Sequence, residues 1–481
     1  MLKQLLARKT NFSNDGDGDG PALKRTLGPW GLTALGIGAV IGGGIFVITG
    51  QAAAEHAGPA IVLSFVIAAI CCSFTALCYA EFATLIPMSG SSYSYAYATL
   101  GELVAWFIGW NMVLEYGVSA SAVAVSWTGY FTSLLDHLGM HLPGVLTNAP
   151  LAYTNGHLVT TGALFNLPAV AIVLALTWLC YVGIRESSGA NLAMVILKVG
   201  LIVIVIVAGW HYVNPAYWHP FIPPNQGPEK YGWSGIMRAA TLVFFAYIGF
   251  EATSTAAQEA QNPQRDLPIA TLTSLAICTI LYIGVAAVIT GLLPYGQLDT
   301  AESVVTAVSA HPQLGWLRWL VEVGALIGLS SVILVMIIAQ PRIFMIMSRD
   351  GMLPKVFARI HPRYRTPYIN TVITGLGIAA LAAVFPLEIL GDLVSMGTLI
   401  AFVAVCAGVL ILRHTQPDLP RTFRVPWAPV TCVLGVLSCL GLLYWENWYQ
   451  WLLLGIWTVI GMAIYFGYGR RHSLLRGQSQ T

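Results

Sequence analysis

Charge is scarce in this sequence. Of its 481 residues only 9% are Asp, Glu, Lys or Arg, where a soluble domain carries about a quarter, and 57% are hydrophobic. A soluble core of this size cannot hide so much apolar surface from water, because the surface of a folded chain stays too large relative to its volume. A bilayer can hide it. No long polar stretch separates the apolar runs, so the several soluble domains that length alone would suggest are excluded. Also missing are a GxxxxGK[ST] phosphate loop, which argues against ATP-driven chemistry by this chain alone, and any CxxC or CxxCH pair. The eight cysteines all lie inside apolar runs and read as small buried hydrophobes. The ten histidines fall at the ends of those runs or between them, with no cluster of His, Cys or paired carboxylates on one face. Nothing here points to an enzyme, and no cofactor, metal or nucleic-acid partner is expected.

What is present is a series of long apolar runs. A bilayer crossing takes about 20 such residues at 1.5 Å each. Runs bounded by charge, proline or glycine clusters give twelve: 29–53, 58–86, 99–134, 164–184, 188–212, 234–259, 267–293, 316–347, 367–385, 387–413, 426–446 and 448–469. They are continuous, unlike the alternating ten-residue strands of a membrane barrel. The expected fold is therefore an all-α membrane protein of twelve spans, with short hairpin connections late in the chain. Residues 1–26 carry no apolar signal core and read as a disordered cytoplasmic head. The expected divisions are 27–259 (spans 1–6), 260–414 (spans 7–10), 415–470 (spans 11–12) and a cytoplasmic tail, 471–481.

An even number of spans puts both termini on one side. With the termini in the cytoplasm, only Lys230, Arg238 and Arg318 fall outside and Lys198 within a span, which leaves 19 of the 23 basic residues inside. That asymmetry is the positive-inside pattern of a plasma-membrane protein. Trp30, Trp210, Trp218, Trp233, Trp445 and Trp448 fall near span ends, where indole rings anchor at the interface.

Two spans are interrupted. The first reads Leu35-Gly-Ile-Gly-Ala-Val-Ile-Gly-Gly-Gly-Ile-Phe46, with five glycines in nine positions. Each glycine costs a helix interior about 1 kcal/mol relative to alanine, and bare backbone in hydrocarbon is tolerated only where protein or a cavity lines it. The span is expected to unwind around Gly42, Gly43 and Gly44, presenting N–H groups at a half-helix N-terminus to an anion. Close helix packing through the Gly38/Gly42 step is the alternative. The sixth span, Phe244-Phe-Ala-Tyr-Ile-Gly-Phe-Glu251, is interrupted at Gly249 and carries Glu251 at mid-depth. One interrupted segment leading each set of five spans is the pattern of an inverted-repeat carrier, with the site where the breaks meet.

These stretches resemble the amino acid–polyamine–organocation superfamily, and within it the cationic amino acid transporter family and its bacterial members. Gly58-Pro-Ala60, Cys78-Tyr-Ala-Glu-Phe82, Asn262-Pro-Gln-Arg-Asp-Leu-Pro268, Ser348-Arg-Asp-Gly351 and Arg424-Val-Pro426 add to the resemblance, which covers about residues 25–470. It implies a five-plus-five inverted repeat with helices 1 and 6 broken, two extra helices, and an amino-acid substrate. It places the substrate carboxylate at the Gly43 and Gly44 N–H groups beside Gly42. The ammonium is placed at the carbonyls of Ile41, Phe245, Ala246 and Ile248. Bacterial members often have Thr at the position of Gly43 and Asp at that of Glu251; both departures bear on side-chain selectivity.

Lys198 lies about ten residues from either end of span 5, deep enough to need acceptors or a water path. The resemblance implies that its ammonium takes the place of a sodium ion used by distant relatives, with carbonyls near Ile37 and Gly38 and the hydroxyls of Ser330 or Ser331 as partners. A proton carrier and a static structural lysine are the two readings. Glu115 is similarly deep and reads as a proton relay or a scaffold bond. Glu251 reads as a pocket residue or a gate contact, and Met336 as a wall of the side-chain subsite or ordinary core. Glu81 and Glu102 read as gates or anchors at cytoplasmic span ends. The expected function is a proton-coupled amino-acid symporter, with an exchanger of the same fold, or an amino-acid receptor, as the alternatives. Its expected partners are the amino acid, protons and the lipid bilayer, with room for a small membrane-protein partner of unknown identity.

Overall fold

The computed structural model describes residues 7, 27–86, 91–154, 157–183, 188–364 and 366–474. All but one residue of the expected head (1–26), and residues 475–481 of the expected tail, lie outside them. All twelve apolar segments carry helix. In chain order the helices are α1 (Pro29–Val40), α2 (Ile61–Leu85), α3 (Ser91–Thr99), α4 (Glu102–Val113), α5 (Ser119–His137), α6 (Leu167–Val182), α7 (Ser188–Trp210), α8 (Gly232–Phe244), α9 (Ala252–Thr255), α10 (Pro263–Leu292), α11 (Ser303–Ser309), α12 (Gly315–Arg349), α13 (Tyr368–Val384), α14 (Leu387–Thr415), α15 (Ala428–Leu443) and α16 (Trp448–Ile464). Between α1 and α2 the chain winds through π-turns at Gly44–Ile48 and Ala53–Ala57, with a single α-turn, Thr49–Ala52, between them. A hairpin pairs β1 (Leu151–Thr154) antiparallel to β2 (His157–Thr160).

Seven helical runs among the described residues are long and apolar enough to cross a bilayer, and four shorter apolar helices, α1, α6, α13 and α15, accompany them. Their outward faces are oily. Ile280 is 70% exposed, Val207 69% and Val459 68%. Isolated exposed apolar residues are ordinary, but a belt of them on a folded chain marks contact with lipid. The polar side chains turn inward, where each needs a partner.

Two helices were invisible to a search for apolar runs. α3 is rich in serine and tyrosine, and α11 is only seven residues long. Span 3 is also not one uniform helix: a π-turn, Leu114–Val118, joins α4 to α5 and carries Glu115 on its bulge. Such single-turn widenings recur at functional sites.

Buried ion pairs fasten the ends of the bundle. Glu81 on α2 accepts from Arg413 Nε at 3.1 Å and from the Val425 N–H at 2.7 Å, so it is an anchor. Glu102 opens α4 and accepts from the Tyr465 hydroxyl at 2.8 Å and the Ser473 hydroxyl at 2.5 Å. The start of the expected tail is thereby docked, and the Leu474 N–H adds a bond to Asp350 O at 3.2 Å. Arg238, counted on the outer side at the start of the sixth span, is 1% exposed within α8. Its guanidinium contacts Asp392 of α14 at 2.7 Å and Glu446 beyond α15 at 3.0 Å. Two acids on neighbouring elements compensate the cost of burying that cation.

Candidate substrate and coupling site

The first break is narrower than expected. α1 ends at Val40, Ile41 is extended (φ −74°, ψ 96°), and Gly44 already begins the following π-turn. The unwound residues are therefore Ile41 and Gly42; Gly43, expected to unwind with them, already has helical dihedrals (φ −56°, ψ −27°). The Ile37 carbonyl, expected to be freed, accepts the Ile41 N–H at 2.9 Å. In the second break α8 tightens into a 3₁₀ turn at Phe245–Tyr247. Ile248 is then extended (ψ 132°), and Gly249 takes φ +120°, a region closed to residues with a Cβ. α9 begins three residues later.

The two breaks touch. A Cβ on Gly44 would stand 2.4 Å from Ala246 Cα, and one on Gly249 would stand 2.9 Å from both the carbonyl carbon and oxygen of Ala39. Only glycine lets the two backbones approach so closely. Tyr282 of α10 joins them: its hydroxyl lies 2.9 Å from Val40 O and 2.8 Å from Ala246 O. One phenolic proton is thus poised between a carbonyl of each broken helix. Sequence reasoning missed Tyr282; a phenol midway along an apolar run is a polar group that must find an acceptor.

The expected carbonyl ligands are partly engaged. Phe245 O accepts the Ile248 N–H at 3.2 Å, and Ala246 O accepts from Tyr282. Each carbonyl keeps a second lone pair. Lys198 is completely buried, and its Nζ donates to Gly38 O at 2.8 Å and to Ile41 O at 3.2 Å. Gly38 was expected as a partner; Ile41, expected as a substrate ligand, holds the lysine too. The alkyl stem of Lys198 packs on Gly328 of α12, where a Cβ would meet it at 3.4 Å. Ser331 donates to Gly328 O at 3.0 Å, while Ser330 donates to Leu326 O at 2.7 Å and accepts from Trp127 Nε1 at 3.0 Å. Met336, 2% exposed, lies further along the same helix, in its buried face.

Glu251 turns back on its own break. Its Oε2 accepts the Gly249 N–H at 3.0 Å, and the Glu115 carboxyl is its electrostatic neighbour. Both side chains are buried, at 0% and 1% exposure. The structure therefore brings together two acids from different spans that sequence reasoning treated separately. A cavity of about 60 Å³ lies against the helical run that follows the first break, lined by Ile48, Gln51, Glu55, Leu242, Asp299 and Glu388. On the opposite side the Ser254 hydroxyl donates to Ser91 at 3.0 Å, and Leu27 pairs with Ala260 in a backbone bridge.

The sequence has known relatives. The family profile described as Amino acid permease matches residues 27–467. The branched-chain amino acid permease BcaP of Bacillus subtilis is 46% identical over 454 residues, 94% of this chain and 95% of that one. The methylthioribose transporter of the same organism is 43% identical over 474 residues, 98% of this chain and all of the relative. The vacuolar cationic amino acid transporter 2 of Arabidopsis thaliana is 38% identical over 446 residues, 92% of this chain and 68% of the relative. With two broken helices meeting in a lipid-facing helical bundle, and a profile match across nearly its whole length, this chain belongs to the amino acid permease family of multi-pass membrane proteins.

Proposed function

We propose that this protein is a secondary active carrier that brings amino acids into the cell with protons. The observation that carries the reading is the contact of the two breaks at Gly44 and Ala246, bridged by Tyr282. Half-helix N-termini at Gly43 and Gly44 suit a carboxylate, and carbonyls at Ile41, Phe245, Ala246 and Ile248 suit an α-ammonium. An amino acid carries both groups on adjacent atoms. In this reading spans 1–5 and 6–10 are the inverted repeats, both termini are cytoplasmic, and the cavity beside Glu55 and Glu388 belongs to the outer path.

Proton coupling is assigned to Lys198, with the Glu115–Glu251 pair as the second candidate. Lys198 and the substrate ammonium share one acceptor, Ile41 O, so the state of the lysine is felt directly at the pocket. Two adjoining buried carboxyl groups repel each other when both are ionised, which favours one of them holding a proton and gives Glu115 and Glu251 a proton to lose. Neutral side chains are favoured, because the walls are apolar and the nearby acid, Glu251, is engaged with Gly249. The branched-chain permease supports that preference. The methylthioribose carrier is a relative whose named substrate is no amino acid, so the carboxylate requirement must be tested directly.

The test is uptake of a panel of labelled amino acids, and of methylthioribose, into liposomes containing the purified protein. It is run with and without an acid exterior and with the interior free of substrate. Net accumulation of neutral amino acids that grows with the pH gradient supports symport. Uptake only against preloaded substrate points to an exchanger. Saturable binding without flux points to a receptor. Stronger competition by arginine than by alanine would reverse the selectivity.

A further inference from the structure

The first break is walled on one side by α5, and the wall has a polar point at Ser126. A Cβ built on Gly43 would meet Ser126 Oγ at 2.6 Å and Ser126 Cβ at 3.2 Å. The hydroxymethyl group thus fills the space that a larger residue at 43 would need. One turn back, Val123 Cα stands 3.8 Å from the same point, so one face of α5 follows the unwound backbone. Ser126 is 1% exposed, and its hydroxyl donates to Ala122 O, four residues earlier in its own helix, at 3.1 Å. That bond is a local substitute. It stabilises little, and it can be exchanged by a rotation about χ1 between staggered wells.

A carboxylate docked on the Gly43 and Gly44 N–H groups brings two oxygens with about four acceptor sites into a region without bulk water. Two backbone donors leave some of those sites unmet, and an unmet charged acceptor is costly in a dry interior. The hydroxyl already in contact with Gly43 is placed to meet one. We propose that Ser126 is a substrate-binding residue: its O–H turns from Ala122 O to the substrate carboxylate, as the third donor beside the two glycine N–H groups. The inference rests on the reading of the break as the carboxylate site. It adds a specificity element, since the contact ties the presence of glycine at 43 to the presence of the hydroxyl at 126.

The experiment measures KM for L-alanine and inhibition by L-alaninamide in liposomes. The amide keeps the ammonium and loses the carboxylate charge. A hydrogen bond to a charged group predicts that Ser126→Ala raises the alanine KM about tenfold to a hundredfold, with kcat and inhibition by the amide little changed. Gly43→Ser alone should be impaired by the 2.6 Å contact. Gly43→Ser combined with Ser126→Gly moves the hydroxyl across that contact and should recover much of the lost affinity. Ser126→Cys, of similar size but a weak donor, should behave as Ser126→Ala and guards against a folding artefact. An unchanged KM in both single variants at 126 would overturn the assignment. So would an equal loss for alanine and its amide, because packing alone would then explain it. If wild-type protein shows no saturable uptake of any amino acid, the reading of the break itself fails and the assignment of Ser126 falls with it; a failure confined to the Ser126 comparison overturns the assignment alone.

Discussion

Lys198 Nζ lies 2.8 Å from the carbonyl oxygen of Gly38, inside the last turn of α1 before the chain unwinds. The side chain comes from a different span and is completely buried. It therefore holds the end of a half-helix that has lost its own continuation. Removing it should loosen the break and remove a proton carrier together. Lys198→Ala is expected to abolish accumulation driven by a pH gradient, measured as alanine uptake into liposomes with an acid exterior. Residual exchange is compatible with the account, since Lys198 shares only Ile41 O with the proposed substrate ligands. Gradient-dependent accumulation at the wild-type level would move the coupling to Glu115.

Glu115→Gln gives the complementary outcome. The amide can donate to Glu251 and keep the contact between the π-turn and the second break, but it cannot release a proton. Binding of alanine should stay within about threefold of wild type. If Lys198 alone carries the proton, uptake should keep its full dependence on the gradient. Loss of that dependence with intact binding, read from the ratio of uptake rates at two external pH values, would assign the proton to the carboxyl pair.

Arg238 is a structural prediction. Truncating one partner of a buried, hydrogen-bonded ion pair costs about 3–5 kcal/mol, because the charges left behind are uncompensated. Arg238→Ala strands Asp392 and Glu446, which its guanidinium contacts at 2.7 and 3.0 Å. The expected result is a clear fall in the melting temperature of the detergent-solubilised protein. An unchanged melting temperature would mean that other groups carry these acids.

The order of the helices and the site of both breaks could be read from residue patterns, because bilayer thickness and glycine content act locally. The glycines at 42–44 and 249 mark where a helix cannot continue, and the structure unwinds at Gly42 and Gly249, although Gly43 is already helical and Gly44 belongs to the next turn. Partnerships across helices were harder. Lys198 was identifiable as needing carbonyls, yet Ile41 rather than Ile37 became the second acceptor, since Ile37 O closes the last turn of α1. The meeting of Glu115 with Glu251, the bridge made by Tyr282 and the burial of Arg238 depend on how helices distant in sequence face one another, which periodicity does not encode. α3 escaped notice for a different reason: its serines and tyrosines give no apolar run.

The central claim is that the substrate carboxylate binds where the two breaks touch, and Gly44→Leu tests it most directly. A side chain at 44 would need the space of Ala246 Cα, 2.4 Å from its Cβ, and would wedge the breaks apart. The measurement is equilibrium binding of labelled alanine to purified wild-type and variant protein, each first shown to be inserted and monodisperse. The account predicts saturable binding by the wild type and none detectable by the variant. Wild-type affinity in Gly44→Leu would contradict it and put the substrate elsewhere in the bundle.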